Sequence, residues 1–397
     1  MPPTWTHDGG EIRWISESGA PAPRRVVPAD SRIGVAPAYR HICEGTALLW
    51  TGDYPSARRL LTSLGKRAEP RRRPAADTLT EAFHLQRREQ ARRARILGLL
   101  LIPYEDGWTI PLKRAPEAGE ACTQAYGGYA EYGEGPAAGS LRELLGVIGA
   151  YEWRRKGVAI PALGGDRIHP HYGVFSPVRG EYLDLAAEAG LTAPPRVAFD
   201  IGTGTGVLAA LLARRGATQV VATDLDPRAV ACARENAERL GVGEVVDVRE
   251  QDLFPQGRAD LIVCNPPWLP ARPRTRLDQA VYDPGSSFLH RFLKGLPDHL
   301  EPGGEAWLLI SDLAERLGLR GESELAEAIG SAGLRITARE TTTPRHGRAF
   351  DREDPLYEAR SREITSLWRL AVHPSPLPDA DRSAARAPRR PAAEEPR

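Results

Sequence analysis

Short apolar runs and amphipathic stretches alternate along the second half of this chain of 397 residues. The apolar runs have the length of buried strands and lie at 197–201, 219–224, 245–249, 260–264, 305–311 and 334–340. Apolar residues at helical spacing fill the intervals, as at 227–240 and 322–332. Because strands that alternate with helices form parallel sheets covered on both faces, this half is predicted to be a doubly wound α/β domain. A last run at 363–372 predicts a closing strand.

The first half of the chain has a different pattern. Residues 1–37 are rich in Pro, Gly and Ser and predict a flexible arm with one short strand at 11–15. The spacing from Tyr39 to Ala68 predicts a helical hairpin, and Thr78 with Glu81 is typical of a capping box that opens a helix. We therefore expect four parts, namely the arm at 1–37, a smaller, mixed but mainly helical accessory domain for substrate docking at 38–165, the α/β domain at 166–374 and a disordered tail at 375–397.

Composition adds little beyond a globular, cytoplasmic protein. The net charge is +1 and 41% of the residues are hydrophobic, so a sizeable core is expected and no global charge favours a nucleic-acid partner. Cys43, Cys122, Cys232 and Cys264 have no paired spacing, which fits a reducing compartment and predicts neither disulfides nor a zinc site. No leader pattern or membrane-length apolar run is present. We expect a cytoplasmic chain without metal or membrane association.

One segment of the accessory domain is locally basic. Its cations are Lys66, Arg67, Arg71, Arg72, Arg73, Arg87, Arg88, Arg92, Arg93 and Arg95. Such a segment can contact the phosphates of RNA. It can equally be a solvated helix face, and the sequence leaves both interpretations open.

The first strand of the α/β half ends in an acid and a glycine-rich turn. Asp200 is followed by glycine at 202, 204 and 206. Glycine lets the backbone turn tightly and lets a ligand lie against it, as in nucleotide-binding sheets. The dinucleotide fingerprint would need glycine at 207, where this chain has Val207, so a nicotinamide-dependent dehydrogenase is disfavoured.

The fourth strand ends in Asn265-Pro266-Pro267-Trp268, at the sheet edge where α/β proteins bind ligands. The two prolines remove backbone donors and fix the chain. The Asn265 amide oxygen and the Pro266 carbonyl oxygen are then two acceptors for one planar NH2 group. Trp268 offers a flat face on which a planar group can stack. The motif is therefore predicted to orient an amine for attack, mainly by positioning.

These stretches resemble the class I S-adenosylmethionine-dependent methyltransferases, and Asn-Pro-Pro-aromatic is similar to the motif of amino-methyltransferases. That group includes adenine-N6 and guanine-N2 enzymes of RNA or DNA, small-domain methyltransferases and the glutamine methyltransferases of release factors. The resemblance covers roughly 170–372. It implies a Rossmann-like, seven-stranded doubly wound sheet whose last strand is antiparallel, and S-adenosyl-L-methionine as cofactor.

The resemblance also implies roles for single residues. Asp200 would lie near the amino group of the cofactor, Asp224 would accept the ribose hydroxyls and Asp252 the adenine amino group. Asp226, beside Pro227, is better explained as a helix N-cap. The implied cofactor-binding residues are Asp200, Gly202, Thr203, Gly204, Gly206, Asp224, Leu225, Asp252, Leu253 and Asn265, and the implied catalytic residues are Asn265, Pro266, Pro267 and Trp268.

The stretch 280–288 follows the motif at a distance that suits a lid over the substrate. Within it, Tyr282 and Asp283 either touch the target or belong to a turn. We expect an N-methyltransferase that acts on a planar exocyclic NH2, with a base of ribosomal or other structured RNA preferred over the alternative, a protein glutamine. A binding protein that has lost catalysis is disfavoured by the intact motif.

Overall fold

The computed structural model describes residues 4–7, 10–70, 76–177, 180–345 and 347–373. The predicted disordered tail at 375–397 lies outside these ranges. The strands are β1 (Thr4–His7), β2 (Gly10–Ile15), β3 (Arg25–Ala29), β4 (Thr46–Trp50), β5 (Leu100–Tyr104), β6 (Ala137–Ser140), β7 (Val158–Ala159), β8 (Arg167–Ile168), β9 (Val197–Ile201), β10 (Gln219–Asp224), β11 (Val246–Glu250), β12 (Ala259–Cys264), β13 (Leu300–Ser311), β14 (Leu334–Thr342) and β15 (Thr365–Val372). The helices are α1 (Val35–Cys43), α2 (Tyr54–Arg67), α3 (Leu79–Gly98), α4 (Gly119–Tyr126), α5 (Leu141–Lys156), α6 (Glu181–Glu188), α7 (Val207–Arg214), α8 (Pro227–Arg239), α9 (Arg276–Gln279), α10 (Ser287–His299), α11 (Leu313–Arg316), α12 (Glu324–Ser331) and α13 (Tyr357–Ser361).

The second half of the chain forms a seven-stranded sheet in the order β11-β10-β9-β12-β13-β15-β14. Strand β15 is antiparallel to both of its neighbours, and the other described pairs are parallel. The predicted seven-stranded sheet with an antiparallel last strand is thus confirmed. Residues of β12 alternate between two apolar clusters, one on each face, so helices cover both faces.

The first half contains a six-stranded mixed sheet in the order β1-β2-β6-β5-β4-β3, with helices packed on it. Helices hold more residues than strands here, but the prediction of a mainly helical domain did not include this sheet. Strand β4 lies inside the predicted helical hairpin. All five of its residues are buried, so the apolar run lacks the alternation that would have identified a strand.

The predicted arm at 1–37 is corrected by the same sheet. Strand β2, expected at 11–15, pairs in parallel with β6, and β3 pairs in parallel with β4. Pro28 lies within β3, which is the edge of the sheet, where a residue without a backbone N–H is tolerated. A short, proline-containing edge strand has little sequence signal.

Helix α3 joins the two halves. Thr78 caps its first turn as predicted, because the Thr78 hydroxyl accepts a hydrogen bond from the Glu81 N–H at 3.1 Å. Phe83 is 3% exposed and shares an apolar cluster with residues of the second half, namely Leu269, Leu313, Ala314, Leu317, Leu356 and Ala359. The Thr80 hydroxyl donates to the Leu317 carbonyl oxygen at 2.7 Å. The accessory half is therefore packed on the α/β half through α3.

Within the described ranges, no helix combines the length and the apolar character that crossing a bilayer requires.

Replacing Phe83 should test whether α3 is part of the stable core. Phe83→Ala leaves a cavity between the halves and is expected to lower the free energy of unfolding by about 3 kcal/mol or more. Arg88 is exposed on the same helix, and Arg88→Ala should change the free energy of unfolding by about 0.5 kcal/mol or less. Urea unfolding followed by tryptophan fluorescence measures both. Equal midpoints for the two variants would contradict the packing role.

Candidate cofactor and substrate site

The candidate residues lie at the carboxyl edge of four neighbouring strands. Ile201 of β9 is paired with Thr223 of β10 on one side and with Cys264 of β12 on the other. Asp224, in turn, is paired with Glu250 of β11. The glycine-rich turn, Asp224, the 251–253 segment and Asn265 therefore leave the sheet side by side. The strand order reverses between β9 and β12, which makes this the switch point where open α/β sheets bind ligands.

The glycine-rich turn is held from inside by Asp200. Its Oδ2 accepts hydrogen bonds from the Thr203 hydroxyl at 2.6 Å and from the Ala209 N–H at 3.0 Å. Asp200 is fully buried, and burial raises its pKa to about 7 although both hydrogen bonds oppose this shift. The structure thus places Asp200 beneath the turn, where it fixes the backbone, and Thr203 beside it.

The three glycines have left-handed backbones but different surroundings. Gly202, Gly204 and Gly206 have φ of 73°, 56° and 79°. A Cβ on Gly204 would meet nothing within 4 Å, so the turn is open there. A Cβ on Gly206 would lie 3.1 Å from Ala233 of α8, so this glycine permits close packing of the turn on a helix.

Asp224 closes the turn from the neighbouring strand. Its Oδ2 accepts from the Gly204 N–H at 2.9 Å and its Oδ1 from the Asp226 N–H at 3.0 Å. Burial raises its pKa above the ordinary value. Leu225 next to it is 67% exposed and offers an apolar face to a flat ring. Asp226 accepts from the Arg228 N–H and is the predicted N-cap.

The segment after β11 carries a strained residue and an ion pair. Leu253 has φ of 56°, a conformation that costs a residue with a side chain about 1 kcal/mol or more. Its carbonyl oxygen accepts the Thr223 hydroxyl at 2.6 Å, which holds it in place. Asp252 is exposed and pairs with Arg291 of α10. The sequence did not single out Thr223 or Arg291, because neither belongs to a recognisable motif.

Asn265 and Trp268 contact each other directly. The Trp268 indole N–H donates to the Asn265 Oδ1 at 2.9 Å. Since an indole nitrogen can only donate, this contact identifies the amide oxygen, and that oxygen keeps a second lone pair for another donor. Pro266 is buried, whereas Asn265, Pro267 and Trp268 are partly exposed. The Trp268 indole therefore fixes the orientation of the Asn265 amide.

Asp283 and Tyr282 have structural partners. Asp283 is 5% exposed, and its carboxylate accepts from the N–H groups of Phe288 and Leu289 in the first turn of α10. It caps this helix, which favours the turn interpretation. The ring of Tyr282 is stacked by Arg87 from the accessory half. Phe288 lies above the glycine-rich turn, with its Cζ 3.7 Å from where a Cβ of Gly202 would be.

This arrangement suits S-adenosylmethionine. An open, left-handed glycine turn can receive the methionine part, and a carboxylate on the neighbouring strand can receive the ribose. Within the described ranges, no group of three or more His, Cys, Asp or Glu side chains could hold a metal ion.

Comparison with known proteins agrees with this geometry. The family model described as the methyltransferase small domain matches residues 167–330. A release factor glutamine methyltransferase of Cereibacter sphaeroides is 38% identical over 164 residues, which is 38% of this chain and 57% of that protein. A proposed protein N5-glutamine methyltransferase of Methanocaldococcus jannaschii is 33% identical over 146 residues, or 35% of this chain and 70% of that protein.

A third relative has a name that assigns it to RNA. The ribosomal RNA small subunit methyltransferase C of Alcanivorax borkumensis is 37% identical over 147 residues, or 35% of this chain and 41% of that protein.

Fold and site define a class I methyltransferase domain. The chain belongs to the class I S-adenosylmethionine-dependent methyltransferases, and S-adenosylmethionine is its cofactor. This chain spans little more than half the length of the release-factor enzyme, so the substrate of that enzyme is not assigned to this chain by the comparison.

The buried Asp200 predicts a pH dependence of stability. The unfolded carboxyl loses its proton near the ordinary value of 3.8 and the folded one near 7. Between these values the folded state holds a proton that the unfolded state lacks, so the free energy of unfolding falls as pH rises and levels off above about 7. The full effect is on the order of 4 kcal/mol.

Asp200→Asn removes this titration while its amide oxygen can still accept from Thr203 and Ala209. The variant should therefore gain stability relative to the wild type as pH rises from 4 to 8. Urea midpoints at pH 4, 6 and 8 measure the difference. Parallel profiles for the two proteins would show that Asp200 does not carry the proton.

Proposed function

We propose that this chain transfers a methyl group from S-adenosylmethionine to a planar exocyclic NH2, with a base in structured RNA as the target. The observation that carries the proposal is the position of Asn265. It follows Cys264, which pairs with Ile201 immediately before the glycine-rich turn. An acceptor for the target amine therefore lies beside the predicted cofactor turn, at the switch point of the sheet.

The residues of the motif would act by positioning. The Asn265 Oδ1, oriented by the Trp268 indole, accepts one N–H of the target. The Pro266 carbonyl oxygen accepts the other N–H. The nitrogen lone pair is then left free and is directed at the methyl donor. Bound S-adenosylmethionine supplies an electrophilic methyl group on its sulfonium. The effect of such orientation is large, because misplacement by about 1 Å can cost about a hundredfold in rate.

An RNA target is supported by the outward face of α2 and α3. Arg58, Lys66, Arg67, Arg88 and Arg95 are exposed there. Not every cation of the basic segment contributes, since Arg87 and Arg92 bind carbonyl groups of the protein. Arg71, Arg72 and Arg73 lie outside the described residues. The remaining cations suit a phosphate backbone.

A protein glutamine is the second candidate. It is favoured by the names of the relatives from C. sphaeroides and M. jannaschii. A glutamine side chain also presents a planar NH2, and the same two acceptors would hold it. The accessory half would then bind the partner protein.

The two candidates predict different labelled products. With S-adenosylmethionine labelled in its methyl group and a ribosomal extract as substrate, RNase treatment should release the label if RNA is the target. Asn265→Ala is the matched control for background transfer. Label that is released by protease and resists RNase would contradict the RNA proposal and support the glutamine candidate.

Trp268→Phe should separate orientation from cofactor binding. The ring remains, but the donor to Asn265 is lost, so the amide can rotate. We expect kcat to fall about tenfold. Cofactor affinity in calorimetry should stay within about twofold, since the cofactor turn is held by other groups. Asn265→Ala should lower kcat further. Equal kcat for wild type and Trp268→Phe would exclude the orienting role of the indole.

A further inference from the structure

Helix α3 presents one arginine to the α/β half. The Arg87 guanidinium lies over the ring of Tyr282, 4.1 Å from its centroid. Its Nη2 donates to the carbonyl oxygen of Arg272 at 2.6 Å. In the opposite direction, the Arg274 guanidinium donates to the carbonyl oxygen of Arg87. A stacked ring and two reciprocal hydrogen bonds therefore fix one turn of α3 against a single segment.

That segment is residues 269–282, here called the 269–282 loop, which starts directly after Trp268. Its two ends are tied together. The Leu269 N–H donates to the Val281 carbonyl oxygen at 3.1 Å, and the Asp283 N–H donates to the Leu269 carbonyl oxygen at 2.8 Å. Arg87 holds the loop near its beginning, through Arg272 and Arg274, and at its last residue, Tyr282.

The loop is followed by α10, which contacts the glycine-rich turn. Asp283 follows the loop and caps α10 through the N–H groups of Phe288 and Leu289. Phe288 in turn covers Gly202. An unbroken series of contacts thus runs from α3, through the loop that adjoins the catalytic motif, to the glycine-rich turn.

We propose that α3 is a wall of the substrate site and that Arg87 is its positioning residue, which holds the 269–282 loop over the NH2 group presented to Asn265. A guanidinium suits this task because it stacks flat on an aromatic ring while its edge donates hydrogen bonds. Arg87 is then unavailable to phosphate. The inference deepens the proposed function and rests on it for the catalytic measurement only.

Arg87→Ala and Arg88→Ala form a matched pair for the hydrogen-exchange measurement; Arg88 belongs to the face that suits phosphate, so its removal is not a control for substrate KM. They remove the same charge from adjacent positions of one helix, but only Arg87 touches the loop. For Arg87→Ala we expect KM for the NH2 substrate to rise about tenfold with a smaller fall in kcat, while KM for S-adenosylmethionine stays within about twofold. Amide hydrogen exchange in 269–282 should accelerate in Arg87→Ala and stay at the wild-type rate in Arg88→Ala.

Tyr282 allows the same contact to be removed from the other side. Tyr282→Ala should accelerate exchange in the loop as Arg87→Ala does, and the double variant should add little, because both changes remove one interaction. Tyr282→Phe keeps the ring and should keep the wild-type exchange rate. This series keeps the test valid if Arg87→Ala does not fold.

Two outcomes would overturn the inference. Loop exchange that is unchanged in both Arg87→Ala and Tyr282→Ala would show that α3 does not order the loop. Faster exchange with unchanged substrate KM would show that the contact is structural only. If the wild type methylates neither RNA nor protein, the proposed function fails, and the exchange comparison still decides whether Arg87 holds the loop.

Discussion

The parallel pairing of β9 with β10 on one side and β12 on the other is the constraint on which the site depends. Ile201 is paired with both Thr223 and Cys264, so the segments that follow these three strands leave the sheet at one level. Backbone hydrogen bonds fix this level, and productive positioning requires about 0.5 Å precision. The buried Asp200 then ties the glycine-rich turn to α7. Groups far apart in sequence thereby share one edge without depending on flexible loops.

Much of the α/β half of the chain could be predicted, because the sequence signals of its strands and helices are local. Strand β10 has the predicted limits, since an apolar run there ends in an acid and is followed by an N-cap and Pro227. In a parallel sheet the residues that follow each strand must share one edge. That Gly202, Asp224, Asp252 and Asn265 lie at one edge could therefore be inferred before any contact was seen. Their order along this edge, which is Asp252, Asp224, Gly202 and Asn265, follows from the strand order β11-β10-β9-β12.

The remaining features depend on partners that the sequence does not identify. Strand β4 is apolar on both faces, and such a run is the same in a buried strand and a buried helix. Asp283 could equally have faced a ligand, and only its hydrogen bonds to α10 decide that it is a cap. Trp268 offered a stacking face in sequence, but its indole N–H binds Asn265. In each case the sequence showed the chemical character of the residues, but it did not show which partners their side chains face.

Helix α3 shows why charge counting cannot replace geometry. Phe83 and Arg87 are four residues apart and share one face, which points at the α/β half. Arg88, one residue later, is rotated by about 100° and is exposed. The same basic sequence therefore supplies an inward cation that orders a loop and outward cations that can meet a phosphate backbone. Because one helix carries both sets, a substrate bound on its outer face would be held in fixed geometry relative to Asn265.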